Sequence, residues 1–245
     1  MKNIKLIIEY DGKDYNGWQK QPNKLNIQGN IEKAIYELTG KEVNLIASGR
    51  TDAGVHALGQ VANFKIDSDF PIEKLALALN SKLKKSIVIK EAKIVEDDFH
   101  ARYSCKTKTY KYVINNSQNG TAIYRYLSYH MPIKLDYSKM QEAIKYFEGE
   151  HDFKAFKSSG TSSKSSVRTI YKVKIKKEKD NIIIELTGNG FLYNMVRIIA
   201  GTLVDVGLGK IEPKEIKDII ESKDRKKAGK TLPPNGLFLV EVKYE

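Results

Sequence analysis

The stretch "RTIYKVKIKKEKDNIIIELTG", residues 168–188, limits the fold more than any other part of the chain. It reads as two strands joined by a turn near Lys179-Asp180-Asn181. A connection that short links antiparallel neighbours, because a parallel return needs a crossover of about a dozen residues or more. Further strands are expected over "IKLIIEYDG" (4–12), "VNLIA" (43–47), "GQVANFKI" (59–66), "SIVIKEAKIV" (86–95) and "KTKTYKYVIN" (106–115), with a short last one in "LPPNGLFLVEVKYE" (232–245). On 106–115, Tyr110, Tyr112 and Ile114 share one face.

Helices are expected between them. Asn26 can cap one over "IQGNIEKAIYELTG", where Ile27, Ile31, Ala34, Ile35 and Leu38 follow helical spacing and Gly40 ends the run. Pro71 suits the start of "PIEKLALALNSKL". Ser138 is a candidate cap for "SKMQEAIKYFEG", and "FLYNMVRIIAGTLVDVG" (191–207) is apolar enough to be a buried helix. Each half thus holds strands plus two helices in mixed order. That pattern predicts an α+β fold on a largely antiparallel sheet. The polar "KSSGTSSKSS" (157–166) reads as a loop, mobile without ligand, whose Lys157 and Lys164 are placed to hold a polyanion.

Composition narrows the function. The net charge is +12, which points to a polyanionic partner, nucleic acid first. A lysine-rich background could produce the same total, but the distribution argues against it. Between Asp98 and Asp136 there is no acid, only six basic residues and six tyrosines. Between Glu150 and Glu178 the one acid is Asp152, against eight Lys or Arg. Basic stretches interleaved with aromatics suit phosphate contact with base stacking. The single cysteine, Cys105, excludes a disulfide framework and a thiolate metal cage. The opening residues do not read as a signal peptide, and no segment approaches the roughly 18 apolar residues of a membrane helix. The expected location is the cytoplasm.

The chemistry concentrates in "SGRTDAGVHALGQ", residues 48–60, which has no periodicity of either kind. Gly49 and Gly54 permit a close backbone approach to a ligand. An arginine two residues from an aspartate can orient it and stabilise its charge. The loop can equally be a turn with a local ion pair, and the residues by themselves leave both readings open. His56 is read as structural. There is no phosphate-binding GxxxxGK[ST], no HExxH, no CxxC and no GxSxG, and the four histidines lack metal-ligand spacing.

"GRTDAGVHALGQ" resembles the signature of the tRNA pseudouridine synthase A family. "YDGKDYNGWQKQPN", "NIQGNIEKAI", "FHARYSCKTKTYKYVI", "HDFKAFKSSG", "GNGFLYNMVRIIAGTLVDVG" and "LPPNGLFLVEVKY" resemble further parts of it, in order along nearly the whole chain. The resemblance implies isomerisation of uridine to pseudouridine in the anticodon stem-loop of tRNA, at positions thirty-eight to forty, with no cofactor and no metal. It implies that Asp52 is the catalytic aspartate, as nucleophile or as base. It implies that Arg50 orients Asp52 and holds the target nucleotide out of the helix, that Tyr110 stacks on the flipped uracil and assists proton removal at carbon 5, and that Arg197 pairs with Asp52. It further implies two related halves, residues 1–103 carrying the aspartate loop and 104–245 completing the cleft, on one continuous mostly antiparallel sheet flanked by helices, and a homodimer. Two rivals stand beside it, an RNA-binding module without activity and a carboxylate-dependent nucleoside hydrolase.

Overall fold

The computed structural model describes residues 1–160 and 165–245. Lys164 therefore lies outside the described residues, as does the middle of the 157–166 loop. In chain order the elements are β1 (Lys2–Tyr10), α1 (Ile27–Thr39), β2 (Ile46–Ala47), β3 (His56–Ile66), α2 (Ile72–Lys82) and β4 (Ile87–Val95). Then follow β5 (Thr107–Asn115), β6 (Tyr129–His130), α3 (Tyr137–Ile144), β7 (Gly149–Asp152), β8 (Val167–Glu178), β9 (Asn181–Gly188), α4 (Met195–Gly207), α5 (Glu215–Ser222) and β10 (Leu237–Lys243). The chain divides into two compact units, Met1–Lys106 with Phe238–Glu245, and Thr107–Leu237. The expected class is the one adopted: α+β, with mostly antiparallel strands flanked by helices.

In the first unit the strand order is β4-β1-β3-β10. β1 runs antiparallel to both β3 and β4, and β10 is parallel to β3. Alternate residues of β1 (Ile4, Leu6, Ile8, Tyr10) are buried, as the period of two requires. Ile31 and Ile35 of α1 and Leu75 and Leu79 of α2 are buried with them. The start of α1 is as expected: the Gly29 N–H donates to Asn26 Oδ1 at 2.8 Å, and Gly40 closes the helix at φ 66°.

In the second unit β5, β9, β8 and β7 form successive antiparallel pairs. The turn between β8 and β9 is the expected one, with Lys179 at φ 54°. Tyr112 and Ile114 are fully buried along with Ile182, Ile184 and Leu186 of β9 and with Ile198, Ile199 and Leu203 of α4.

Four local expectations need correction. The strand expected over 43–47 shrinks to Ile46–Ala47. The cap of α3 is Asp136, whose Oδ1 accepts from the Lys139 N–H at 3.1 Å, so the helix starts before Ser138. α4 begins at Met195, four residues later than the apolar run suggests, because Asn194 sits at φ 62°, which a right-handed helix cannot contain. Among the described residues, the second unit holds three α-helices rather than two. Its third, α5, buries Ile216, Ile219 and Ile220 at i, i+3 and i+4. Among the described residues, no helix is long and apolar enough to cross a membrane.

Candidate active site

The loop between β2 and β3 is held from behind by the strand that follows it. The Ser48 N–H donates to Val61 O at 2.8 Å, and its hydroxyl donates to Gln60 Oε1 at 2.7 Å. The buried Gln60 returns a bond from Nε2 to Gly49 O at 2.9 Å. These bonds set the direction in which the chain leaves Gly49 and enters Arg50.

Residues 10–18 hold the other side. The Tyr10 and Thr51 hydroxyls share a hydrogen bond of 2.7 Å. Burial pushes the Tyr10 phenol up to about 12, so it stays neutral and keeps this bond at physiological pH. The Trp18 N–H donates to Thr51 O at 3.1 Å, and the Gly54 N–H donates to Tyr15 O at 3.2 Å. Within the loop, the Val55 N–H donates to Asp52 O at 3.2 Å. Gly54 is left-handed at φ 77°, a conformation open to glycine because it has no Cβ.

The approach of the two segments is too close for a side chain. A Cβ on Gly17, itself at φ +83°, would lie 2.5 Å from Thr51 O, and one on Gly12 would lie 1.9 Å from Val55 O. Sequence reasoning missed this cradle, reading Gly12 only as the end of a strand. The available signal was a pair of glycines five residues apart, set among Tyr10, Tyr15 and Trp18 directly after a strand.

His56 is structural, as expected. It is buried, its ring stacks on Phe238 at 4.8 Å, and Nδ1 accepts the Gly12 N–H at 3.1 Å. Nδ1 also lies 3.0 Å from Asp11 Oδ1. Both contacts fall on one ring nitrogen and tie His56 to Asp11 and Gly12. With Thr51, Gly54 and His56 all tied to residues 10–18, the loop presents Arg50, which is exposed, and Asp52, which is half-buried.

The other two expected residues lie in the second unit. Tyr110, on β5 opposite Leu186, is 9% exposed and meets the ring of Phe191 edge-on at 5.1 Å. Two residues on, the Tyr112 hydroxyl donates to Pro233 O at 2.7 Å. Burial raises the Tyr112 phenol far above its ordinary range, partly opposed by the nearby Arg197. Arg197 is the third residue of α4. Its Nε donates to Leu232 O at 2.6 Å and its Nη1 to Asn194 Oδ1 at 2.6 Å. The structure thus puts Arg50 and Asp52 on one loop of the first unit, and Tyr110 on β5 and Arg197 on α4 of the second.

A family model described as tRNA pseudouridine synthase matches residues 6–104 and 143–245. The chain belongs to this family. Arg50, Asp52 and Arg197 fall within the matched stretches, and Tyr110 falls between them. The tRNA pseudouridine synthase A of Acetivibrio thermocellus is 56% identical over 244 residues, covering 100% of both chains. That of Caldicellulosiruptor saccharolyticus is 58% identical over the same length and coverage. A solved archaeal box H/ACA sRNP Nop10–Cbf5 complex overlaps 91% of this chain and 59% of its own, at 11% identity and a TM-score of 0.36, too distant to add to the assignment.

Proposed function

We propose that this protein is a tRNA pseudouridine synthase that isomerises uridine in the anticodon stem-loop, at positions thirty-eight to forty. The observation that carries the reading is the loop at 48–56: a backbone locked on both sides, presenting one carboxylate and one guanidinium. Similarity over the full length to curated synthases supports it. In the reaction the bond from ribose C1′ to uracil N1 breaks, a bond from C1′ to C5 forms, and the C5 proton is lost while N1 gains one. Atoms balance with no second substrate, so one positioned carboxylate suffices, as nucleophile or as base.

The residues divide the labour. Asp52 is the catalytic group. Arg50, Tyr110 and Arg197 bind the substrate. Arg50 is suited to fill the space that a flipped nucleotide vacates, and the flat face of Tyr110 to stack on the uracil. Extruding a stem uridine costs a few kcal/mol, which stacking and hydrogen bonds must return. A-form RNA hides its base edges in a deep major groove, so shape and phosphates guide binding, and the dispersed lysines serve that purpose. On this reading residues 1–103 carry the aspartate loop and 104–245 complete the site. The enzyme acts as a cytoplasmic homodimer, one subunit helping to position tRNA for the other.

Tritium release from tRNA labelled at uridine carbon 5 tests the proposal. The synthase releases tritium, leaves the RNA chain intact and leaves a base on every ribose. An RNA-binding module releases none, and a hydrolase leaves abasic sites. Two further outcomes are expected. Affinity for tRNA falls by orders of magnitude between about 50 and 200 mM salt, as several phosphate contacts demand; a flat response would mean that the charge excess is only compositional. Tyr110→Phe keeps the ring and loses the hydroxyl, so RNA binding persists while turnover drops by about 10²-fold or more. Wild-type turnover in that variant would leave stacking as the only role of Tyr110.

A further inference from the structure

Asn194 stands where a helix ordinarily has its capping side chain, and it does not cap. Its backbone is left-handed, at φ 62° and ψ 5°, and its side chain bonds no helix N–H. Asparagine tolerates that conformation better than most residues, but it is one the chain adopts only when the surroundings enforce it. Both ends of the amide are committed. Oδ1 accepts from Arg197 Nη1 at 2.6 Å, and Nδ2 donates to Ser158 Oγ at 3.0 Å. Ser158 is fixed in turn, its N–H donating to Tyr193 O at 3.2 Å.

Arg197 has reason to need this support. A cation in the first turn of a helix faces the positive end of the helix dipole. The bond from Nε to Leu232 O holds one edge of the guanidinium. A second bond at Nη1 fixes the plane, and with it the direction of the remaining donors.

We infer that Asn194 is a positioning residue, which sets the orientation of the Arg197 guanidinium for the reacting nucleotide, and that Ser158 braces it. The inference rests on the reading of Arg197 as a substrate-binding residue. Asn194 touches no reacting atom and acts through Arg197. The amide that would have capped α4 is diverted to the side chain of the helix's third residue, and the left-handed backbone is what points it there.

Asn194→Gly is the direct test, because glycine keeps a φ of 62° without strain and removes only the amide. Asn194→Asp is its partner: it retains the acceptor for Arg197 and gives up the donor to Ser158. Single-turnover rates with saturating enzyme separate chemistry from affinity. In Asn194→Gly the saturated rate is expected to fall about 10- to 100-fold, the scale of a misplaced group, with tRNA affinity and melting temperature near wild type. Asn194→Asp recovers most of that loss, and Ser158→Ala shows a smaller one. A wild-type saturated rate in Asn194→Gly, in a series where Arg197→Ala makes no product, overturns the inference and leaves the reading of Arg197 standing. So does an Asn194→Asp rate as low as that of Asn194→Gly, since the acceptor then does not matter. Full activity in Arg197→Ala overturns both. If Asn194→Gly fails to fold, a wild-type rate in Ser158→Ala together with a collapsed rate in Asn194→Asp overturns the inference.

Discussion

Asp52→Asn forms no pseudouridine, even with enzyme in excess and long incubation, while it folds and binds tRNA as the native protein does. Several contacts that shape the loop do not use the Asp52 side chain. Thr51 is held by Tyr10 and Trp18, Gly54 by Tyr15, and His56 by Gly12. The Asp52 carbonyl accepts from Val55 whatever the side chain is. Asparagine is nearly isosteric with aspartate, so these bonds survive. What is lost is charge, nucleophilicity and basicity together. The expected fall is at least about 10³-fold, within the range a general base is worth and a lower bound if the carboxylate is the nucleophile. Affinity persists because phosphate contacts dominate it, and it rises slightly as one negative charge leaves the RNA-facing surface. Melting temperature, tRNA affinity and end-point product on one preparation check all three. Substantial product from folded Asp52→Asn would refute the assignment and send the search for the catalytic group elsewhere.

Gly17→Ala should damage both stability and activity. The new methyl meets Thr51 O at 2.5 Å, and the backbone must hold φ +83° with a side chain present. The conformation costs about 1–2 kcal/mol, and forcing backbone apart adds about 1–3 kcal/mol. Together these lower the melting temperature by roughly 5–15 °C for a chain of this size. If the loop yields instead, Thr51 moves and carries Asp52 with it, and product formation falls while the melting temperature drops less. Gly40→Ala is the control. It also sits in the left-handed region, at φ +66°, but nothing lies within 4 Å of its added Cβ. Its loss is about 1 kcal/mol, with activity unchanged. A Gly17→Ala protein that melts and turns over like the native one would show that residues 10–18 do not press on the loop in solution.

These two positions mark how far the chain could be read in advance. Arg50 and Asp52 stood out locally, as a charged pair two residues apart in a loop without periodicity; that pattern left an ion-paired turn open, and the family resemblance made the choice. Gly17 did not stand out, because its partner Thr51 is far along the chain and the clash appears only when the two segments meet. The same division holds for the elements. Asn26, five apolar residues at helical spacing and Gly40 define α1 within one stretch. β8 and β9 are defined by their own pattern and a short turn. The start of α4 was misplaced because Phe191–Asn194 looks like the apolar run it joins. Its left-handed backbone comes with side-chain bonds to Ser158 and Arg197 that no apolar pattern announces.

By itself, then, the sequence determined the α+β class, most strands and helices, a polyanion-seeking charge pattern and the loop that carries Asp52. All of these follow from residue spacing within about a dozen positions. The tertiary structure decided the rest. It placed β10 beside β3 in parallel, although the two are far apart in the chain and nothing in either names its partner. It pressed Gly12 and Gly17 against the aspartate loop, and it drew the amide of Asn194 to Ser158, 36 residues away. The physical reason is the same in each case: which backbone groups and side chains meet across long chain separations is set by packing of completed elements, and no local pattern records it.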